Sequence, residues 1–352
     1  MNTERLHELI SNMNAFEKEA YHKSEILNEL LQLQNDIVNL TFNDEHARTA
    51  NLRFWDVCNH LEKLNTECGN IADYEFEKFS KDCRFLGNLI KAEISGRRGE
   101  RIVFERLDQL GCGNFVLKNV ELSDTNFRTE IDAVIITSSR LILVEVKNSS
   151  KDIYIDDRGD YYRTGEYLNW DCNIADKMNC RERMIQSILS EHGVENVEIA
   201  SIVVFTNKYI EIKNKCKKIR TCFVGQLNSI IEDEEKDEKF SVCEMEKIQS
   251  IIGTASEKEK YPFEFDVTQF KTDAAVLIAK LEEAKANMSI DEAEESDLNL
   301  NREIANESDL TEDSQKKVST KRIQYVGATV FSLAVSLILG YAIGYKRYNK
   351  SR

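Results

Sequence analysis

Apolar residues recur along this chain in three rhythms, and each rhythm predicts a different kind of element. Between Thr3 and Leu40, Leu6, Met13, Ala20 and Leu27 fall at sevenfold spacing, with Leu9, Phe16, Leu30 and Ile37 beside them. That pattern predicts one long amphipathic helix, a coiled-coil or bundle strand. After a polar break at Thr41–Asp44, a second helix is expected from about Glu45 to Cys68, with Leu52, Trp55, Leu61 and Leu64 as its core. A third is expected from Ile71 towards Ile94. At Ser95-Gly-Arg-Arg-Gly-Glu, glycines interrupt the helical pattern, which resumes from Glu100 to Leu110. There Glu100 shares one stripe with Val103, Phe104 and Leu107.

The second rhythm is that of strands. Phe115–Leu122 reads as a first strand, and Glu130–Lys147 as two β-rich runs around the polar break Ser138-Ser139, a hairpin. Folded symmetrically, position i faces 277 − i, so Asp132 faces Glu145 and Glu130 faces Lys147. Asp132, Val134 and Ile136 then share a face with Leu143, Glu145 and Lys147. Facing carboxylates roughly 5 Å apart repel unless something positive lies between them. A divalent cation held by carboxylate oxygens meets that need. Glu145 and Lys147 also admit a plainer reading, as solvent-facing residues of a half-buried sheet. Against it, Leu141–Val146 is apolar on both faces apart from Glu145, the mark of a strand covered on both sides.

Asp152–Ile155 and Tyr161–Arg163 suggest a further hairpin, and Asn179–Glu191 a helix closed by His192-Gly193. Ala200–Thr206 and Thr221–Gly225 read as strands. The order of elements implies an α/β domain over residues 95–231, after a helical region at 1–94. A helical extension is expected over 232–288, and an acidic, flexible linker over 289–322.

The third rhythm is an unbroken apolar run. Ile323–Tyr345 contains no charged residue, and about 23 residues at 1.5 Å each span roughly 34 Å, enough for a bilayer core of about 30 Å. This predicts a single transmembrane helix followed by a basic tail, 346–352. Lys316, Lys317, Lys321 and Arg322 before it balance Lys346, Arg347, Lys350 and Arg352 after it, so flanking charge leaves orientation open.

Composition settles some of what pattern leaves open. The 352 residues carry a net charge of −15, with 31% charged residues and one proline. That argues against a protein that coats nucleic acid nonspecifically, though local basic clusters can still grip phosphates. The nine cysteines are scattered, without a Cys-x-x-Cys pair or a metal-ligand spacing to the five histidines. They read as free thiols of a reducing compartment, with no zinc site. The charged N-terminus has no apolar run behind it, so no secretory signal is read there. Together these favour a tail-anchored protein whose bulk faces the cytosol. The heptad-like first helix suggests a homo-oligomer.

Gly99-Glu100, Glu130-Ile-Asp-Ala-Val-Ile-Ile, Leu143-Val-Glu-Val-Lys-Asn148 and the later Ile202-Val-Val-Phe strand resemble the nuclease-related domain (NERD), a branch of the PD-(D/E)xK nuclease-like superfamily. The resemblance implies a mixed sheet flanked by helices. It further implies that Asp132 and Glu145 hold Mg²⁺ or Mn²⁺, with the Val146 carbonyl and Glu100 assisting. Lys147 would orient or deprotonate a water, its pKa pushed down by burial and the adjacent cation. Two departures stand out. Asn179-Cys180 replaces the family's Asn-Pro, and Arg183 occupies the place of its helical glutamine, with Gln186 one turn later. Arg97, Arg98 and Arg101 beside Glu100, and Lys213, Lys215, Lys217, Lys218 and Arg220, could contact nucleic-acid phosphates, DNA more readily than RNA, or could be ordinary solvated basic loops. The implied function is a membrane-anchored, divalent-metal-dependent nuclease. The alternative is a catalytically silent nuclease-like scaffold that self-associates through its N-terminal helices.

Overall fold

A computed structural model describes residues 3–42, 51–111, 113–123, 128–233, 238–256 and 258–307. The chain divides into two compact units, 1–281 and 282–352. The first unit begins with a helical bundle: α1 (Thr3–Ser11), α2 (Lys23–Thr41), α3 (Phe54–Glu67) and α4 (Asp73–Leu107), with the short strand β1 (Tyr21–His22) between α1 and α2.

The single helix expected over Thr3–Leu40 is thus two helices around a turn. Asp36 accepts the amides of Asn14 (2.8 Å) and Ala15 (3.0 Å), and Glu29 accepts that of Phe16 (2.6 Å). These carboxylates of α2 take amides that a continuous helix would have bonded to its own carbonyls, and Phe16 turns the chain with φ 56°. The apolar stripes of these helices meet Phe270, Ala274, Leu277 and Leu281 in one core. The stripe that suggested self-association is therefore covered within the chain. Trp55, expected in this core, is 70% exposed, because Phe54, Val57, Cys58 and Leu61 form the buried i, i+3, i+4, i+7 stripe of α3 one position out of phase.

Nor do the glycines at Ser95–Gly99 interrupt anything. The helix α4 runs through them for 35 residues. A glycine inside a helix costs about 1 kcal/mol, and at Gly99 it permits a close approach: a Cβ there would lie 2.9 Å from Asn148 Cβ.

A five-stranded mixed sheet follows, in the order β10-β8-β4-β3-β2, built from β2 (Phe115–Ser123), β3 (Arg128–Ile136), β4 (Leu141–Lys147), β8 (Ile199–Phe205) and β10 (Arg220–Phe223). The expected hairpin register is present: Ala133 pairs Val144, Val134 pairs Leu143, and Ile136 pairs Leu141, each pair obeying 277 − i. Val134, Ile136 and Leu143 face one core with Met178 and Ile185; Ala133, Ile135 and Val144 face the other with Val103 and Leu107. This is the two-sided covering read from the apolar run of β4. β4 and β8 run parallel.

A second sheet, in the order β7-β6-β5-β9, contains β5 (Ile153–Ile155), β6 (Asp160–Arg163), β7 (Asn169–Asn173) and β9 (Ile212–Asn214). The expected hairpin of β5 and β6 is there; β7 and β9 are short polar strands that the pattern did not announce. The helix expected from Asn179 starts five residues earlier, as α5 (Ile174–Glu191). Asn173 caps it, accepting the Asp176 amide at 2.8 Å. Helices α6 (Leu227–Asp233) and α7 (Val242–Ala255) and a two-residue strand β11 (Lys260–Tyr261) lead to α8 (Val267–Glu307). Residues 289–307, read as a flexible linker, are helical; the stretch contains neither glycine nor proline to stop a helix. The predicted membrane span and its basic flanks lie outside the described residues. Among the described residues no helix is long and apolar enough to cross a membrane.

Gly159 ties the second sheet to α5. Its φ is +97°, its carbonyl accepts the Ile174 amide (2.8 Å), and an added Cβ would lie 2.2 Å from Ala175 Cβ. Gly159→Ala should therefore lower unfolding free energy by about 2–4 kcal/mol, measured by urea denaturation. Gly193→Ala, with a positive φ but open space around it, should cost about 1–2 kcal/mol.

Candidate active site

The end of the β3–β4 hairpin gathers the residues that the sequence singled out. Glu145 is 3% exposed at the end of β4, on the face that α5 covers. Its Oε1 accepts Lys147 Nζ at 2.8 Å and Lys177 Nζ at 2.9 Å, and its Oε2 accepts Arg181 Nη1 at 2.5 Å. Burial works against the charge of Glu145. Lys147, Arg181 and Lys177 outweigh it and hold the carboxyl far below the usual carboxylate range.

Asp132 sits on the neighbouring strand. The described strand pairing of β3 with β4 stops at Ala133–Val144, and Asp132 Oδ2 accepts the Val146 amide at 2.6 Å. The side chain thereby takes an N–H at the end of the ladder, which pins Asp132 beside Glu145. Burial first, and then the charge of Glu145, push the Asp132 carboxyl up to about 6. Two facing acids of one hairpin are thus driven apart in acidity by their surroundings.

Lys147 departs from expectation. Burial acts to lower its pKa, but the charge of Glu145 and the hydrogen bond to it raise the net value above that of an ordinary lysine. In this environment, beside Glu145, it favours its ammonium form. It also lies over the ring of buried Tyr161, 5.7 Å from its centroid. Glu130, expected opposite Lys147, instead forms an ion pair with Lys23 of α2.

Glu100, on α4, is half-buried. Burial pushes its carboxyl up, Lys23 pulls it down, and Glu93 pushes it up again, with weaker effects from the charges of Arg97 and Glu145. It lies within electrostatic reach of the pair. Even so, among the described residues no group of three acids, histidines or cysteines is disposed to hold a metal. Glu100 belongs to α4, whose Val103 and Leu107 pack on the other face of the sheet from Glu145, yet it couples electrostatically to both Asp132 and Glu145.

The helical contribution comes from residues that the sequence reading missed. Arg183 and Gln186 are both exposed on α5, and Arg183 only bonds back to Asn179 O and Cys180 Sγ. The residues that reach the site are Lys177 and Arg181, one turn apart. Arg181 is 2% exposed, donates from Nε to Thr129 Oγ1 (3.1 Å), and bonds the Glu130 carbonyl through Nη2. A signal for it existed. With the helix begun at Ile174, Arg181 falls on the stripe of Ile174, Met178 and Ile185, where a lone arginine stands out.

Of the basic residues, Arg97 donates to Ser24 O (2.9 Å) and Arg101 lies 3.8 Å from Glu105. Lys213 pairs with Glu211 at 3.3 Å, and Lys215 lies over the Tyr154 ring. Lys217 and Lys218 are exposed.

Residues 95–206 match the family model of the nuclease-related domain, NERD. That stretch contains the whole constellation from Glu100 to Arg181. The small subunit (R.BspD6I2) of the heterodimeric restriction endonuclease R.BspD6I is a similar solved structure, at 13% identity over 53% of this chain and 88% of that one. Its TM-score of 0.19 is too low to carry weight. No curated protein matches the chain. The stretch matched by the family model lies in a mixed α/β module whose hairpin acids and helix α5 share one buried cluster.

Arg181 is the keystone of that cluster. Arg181→Met should cost about 3–5 kcal/mol of stability in denaturant unfolding, because Glu145 would lose its only fully buried partner. Arg183→Met, on the exposed face of the same helix, should change stability by no more than about 0.5 kcal/mol.

Proposed function

We propose that the nuclease-related domain hydrolyses phosphodiester bonds of nucleic acid, DNA in preference to RNA, with Mg²⁺ or Mn²⁺ held by Asp132 and Glu145. The observation that carries this reading is the Asp132–Glu145 pair: two buried acids, one pushed up to about 6 by burial and then by the charge of the other, gain from any added cation. The donor chemistry fits a hard divalent ion. Asp132 keeps Oδ2 on the Val146 amide and has Oδ1 to offer. Glu145 Oε1 is held by two lysines whose side chains are 21% and 37% exposed, so Lys177 can turn to solvent while Arg181 retains Oε2. The Val146 carbonyl and, at longer reach, Glu100 would supplement these oxygens. When bound, such an ion lowers the pKa of a coordinated water and offsets charge on the scissile phosphate.

The chain's own residues supply the rest. Lys147, kept as an ammonium by Glu145, donates hydrogen bonds to a phosphate oxygen or orients the water, and is not the base. Arg98, with Lys217 and Lys218, offers positive charge to the flanking backbone. The apolar run 323–345 is proposed to anchor the protein as a single-pass tail, with the bulk of the chain on the cytosolic side.

One observation favours a second reading. Lys147, Lys177 and Arg181 already satisfy both oxygens of Glu145, as in a silent module that binds nucleic acid or scaffolds at a membrane without cutting. Plasmid nicking separates the two. The full-length chain with Mg²⁺ or Mn²⁺ should nick supercoiled DNA, and Asp132→Ala or Lys147→Ala should reduce the rate at least about 100-fold. Mn²⁺ binding to Lys147→Ala should persist. In the wild type it should weaken about tenfold per pH unit below about 6, as protons compete for Asp132. If the wild type never cuts, the silent reading stands. If Lys147→Ala cuts at the wild-type rate, the role given to Lys147 is wrong.

The anchor is tested separately. Full-length chain in membranes should resist alkaline carbonate extraction, while a chain ending at residue 322 should be released; equal release of both would remove the anchor.

A further inference from the structure

Where α4 meets the ends of β4 and β8 lies a cavity of about 370 Å³ to which neither the catalytic reading nor the sequence pattern gave a role. Ser95 and Arg98 of α4 form one wall. Ile102 lies with them, and Asn148, Ser149 and Ser150, just past β4, and Thr206 and Asn207, just past β8, form the rest. Because β4 and β8 are parallel and adjacent, the cavity opens off the carboxyl ends of two neighbouring strands, where open α/β sheets receive their ligands. Asn148 follows Lys147 directly in the chain, so the cavity wall begins one residue after Lys147.

The walls are built and held. Asn148 Nδ2 donates to Ser95 O (2.9 Å) and Ser95 Oγ (3.1 Å), and its Oδ1 accepts Thr206 Oγ1 at 2.7 Å. Asn207 Nδ2 donates to Ser149 O at 3.0 Å. The absence of a Cβ at Gly99 lets α4 lie against Asn148. Within this frame Arg98 is exposed and makes no hydrogen bond or ion pair among the described residues. Its neighbours Arg97 and Arg101 are both engaged. No lining residue is acidic, although the whole chain carries a net charge of −15. A carboxylate-free cavity lined by hydroxyl and amide side chains beside Ile102, with one uncommitted guanidinium, favours an anion.

We infer that this cavity is a phosphate subsite, which takes a backbone phosphate of the DNA strand next to the one cleaved, with Arg98 as its charged contact and Ser150 at its mouth. The inference rests on the nuclease reading and deepens it, since it states where the strand runs: from the acid pair past Lys147 and along the ends of β4 and β8. The subsite positions the strand and takes no part in bond breaking.

Fluorescence anisotropy with the full-length chain and a labelled DNA duplex, in buffer free of divalent ions, tests it without cleavage. Arg98→Ala should weaken binding about tenfold and lower the slope of log K against log salt by about 1. Arg98→Lys should recover most of that slope. Ser150→Glu, at an exposed position with no side-chain partner, should weaken binding at least as much as Arg98→Ala. Lys63→Ala, in the helical bundle, should bind as wild type does. Wild-type affinity and salt slope in both Arg98→Ala and Ser150→Glu would overturn the subsite and leave the nuclease reading in place. A wild-type chain that binds no duplex would bring down both.

Discussion

Glu145 is a carboxylate withdrawn from water at the end of a central strand, and the surrounding structure is arranged to make that tolerable. Removing such an ion from solvent costs several kcal/mol even after relaxation. Three cations offset this cost, and only one of them, Arg181, is itself fully buried. Arg181 in turn needs Thr129 Oγ1 and the Glu130 carbonyl to satisfy its other nitrogens. It reaches them because α5 begins where Asn173 caps it and where Gly159 lets the β5–β6 turn close on Ala175. One buried charge thus locks strand, helix and second sheet together.

The same arrangement gives the hairpin its chemistry. Asp132 and Glu145 face each other across two strands, yet one is held deep in its ionised form while the other sits near the midpoint of its titration at about pH 6. The difference comes from which of the two the cations touch. Lysine Nζ atoms shared by Glu145 can move, whereas the Arg181 guanidinium is fixed by Glu145, Thr129, Met178 and the Glu130 carbonyl. The site therefore combines a rigid half, on Glu145 Oε2, with a labile half, on Glu145 Oε1 and Asp132 Oδ1. A hard cation would compete only for the second.

Much of this was legible in the residues. The hairpin register followed from two β-rich runs around Ser138-Ser139, because side-chain alternation and a short turn leave little choice once both faces of β4 are apolar. Burial of Glu145 followed from the same run. The break in the first helix was not legible, since it depends on Asp36 and Glu29 capturing amides some twenty and thirteen residues away. Ser95–Gly99 misled in the opposite direction: glycine reads as a breaker, but here the helix is held by packing and Gly99 serves the contact with Asn148. For α5, starting the helix at Asn179 instead of Ile174 moved attention to Arg183 and away from Arg181.

By itself, then, the sequence determined the alternation of strands, the nearness of Asp132 to Glu145, the neighbouring lysine and the apolar run near the C-terminus. All of these are properties of residues close together in the chain, where periodicity and turn geometry act directly. Only the tertiary structure decided that Glu145 is enclosed by Lys177 and Arg181, that Glu145 raises the pKa of Lys147, and that Glu100 reaches the acid pair from α4. Those outcomes depend on which helix lands on which face. Packing settles that between segments many residues apart, and the resulting electric field sets each group's charge.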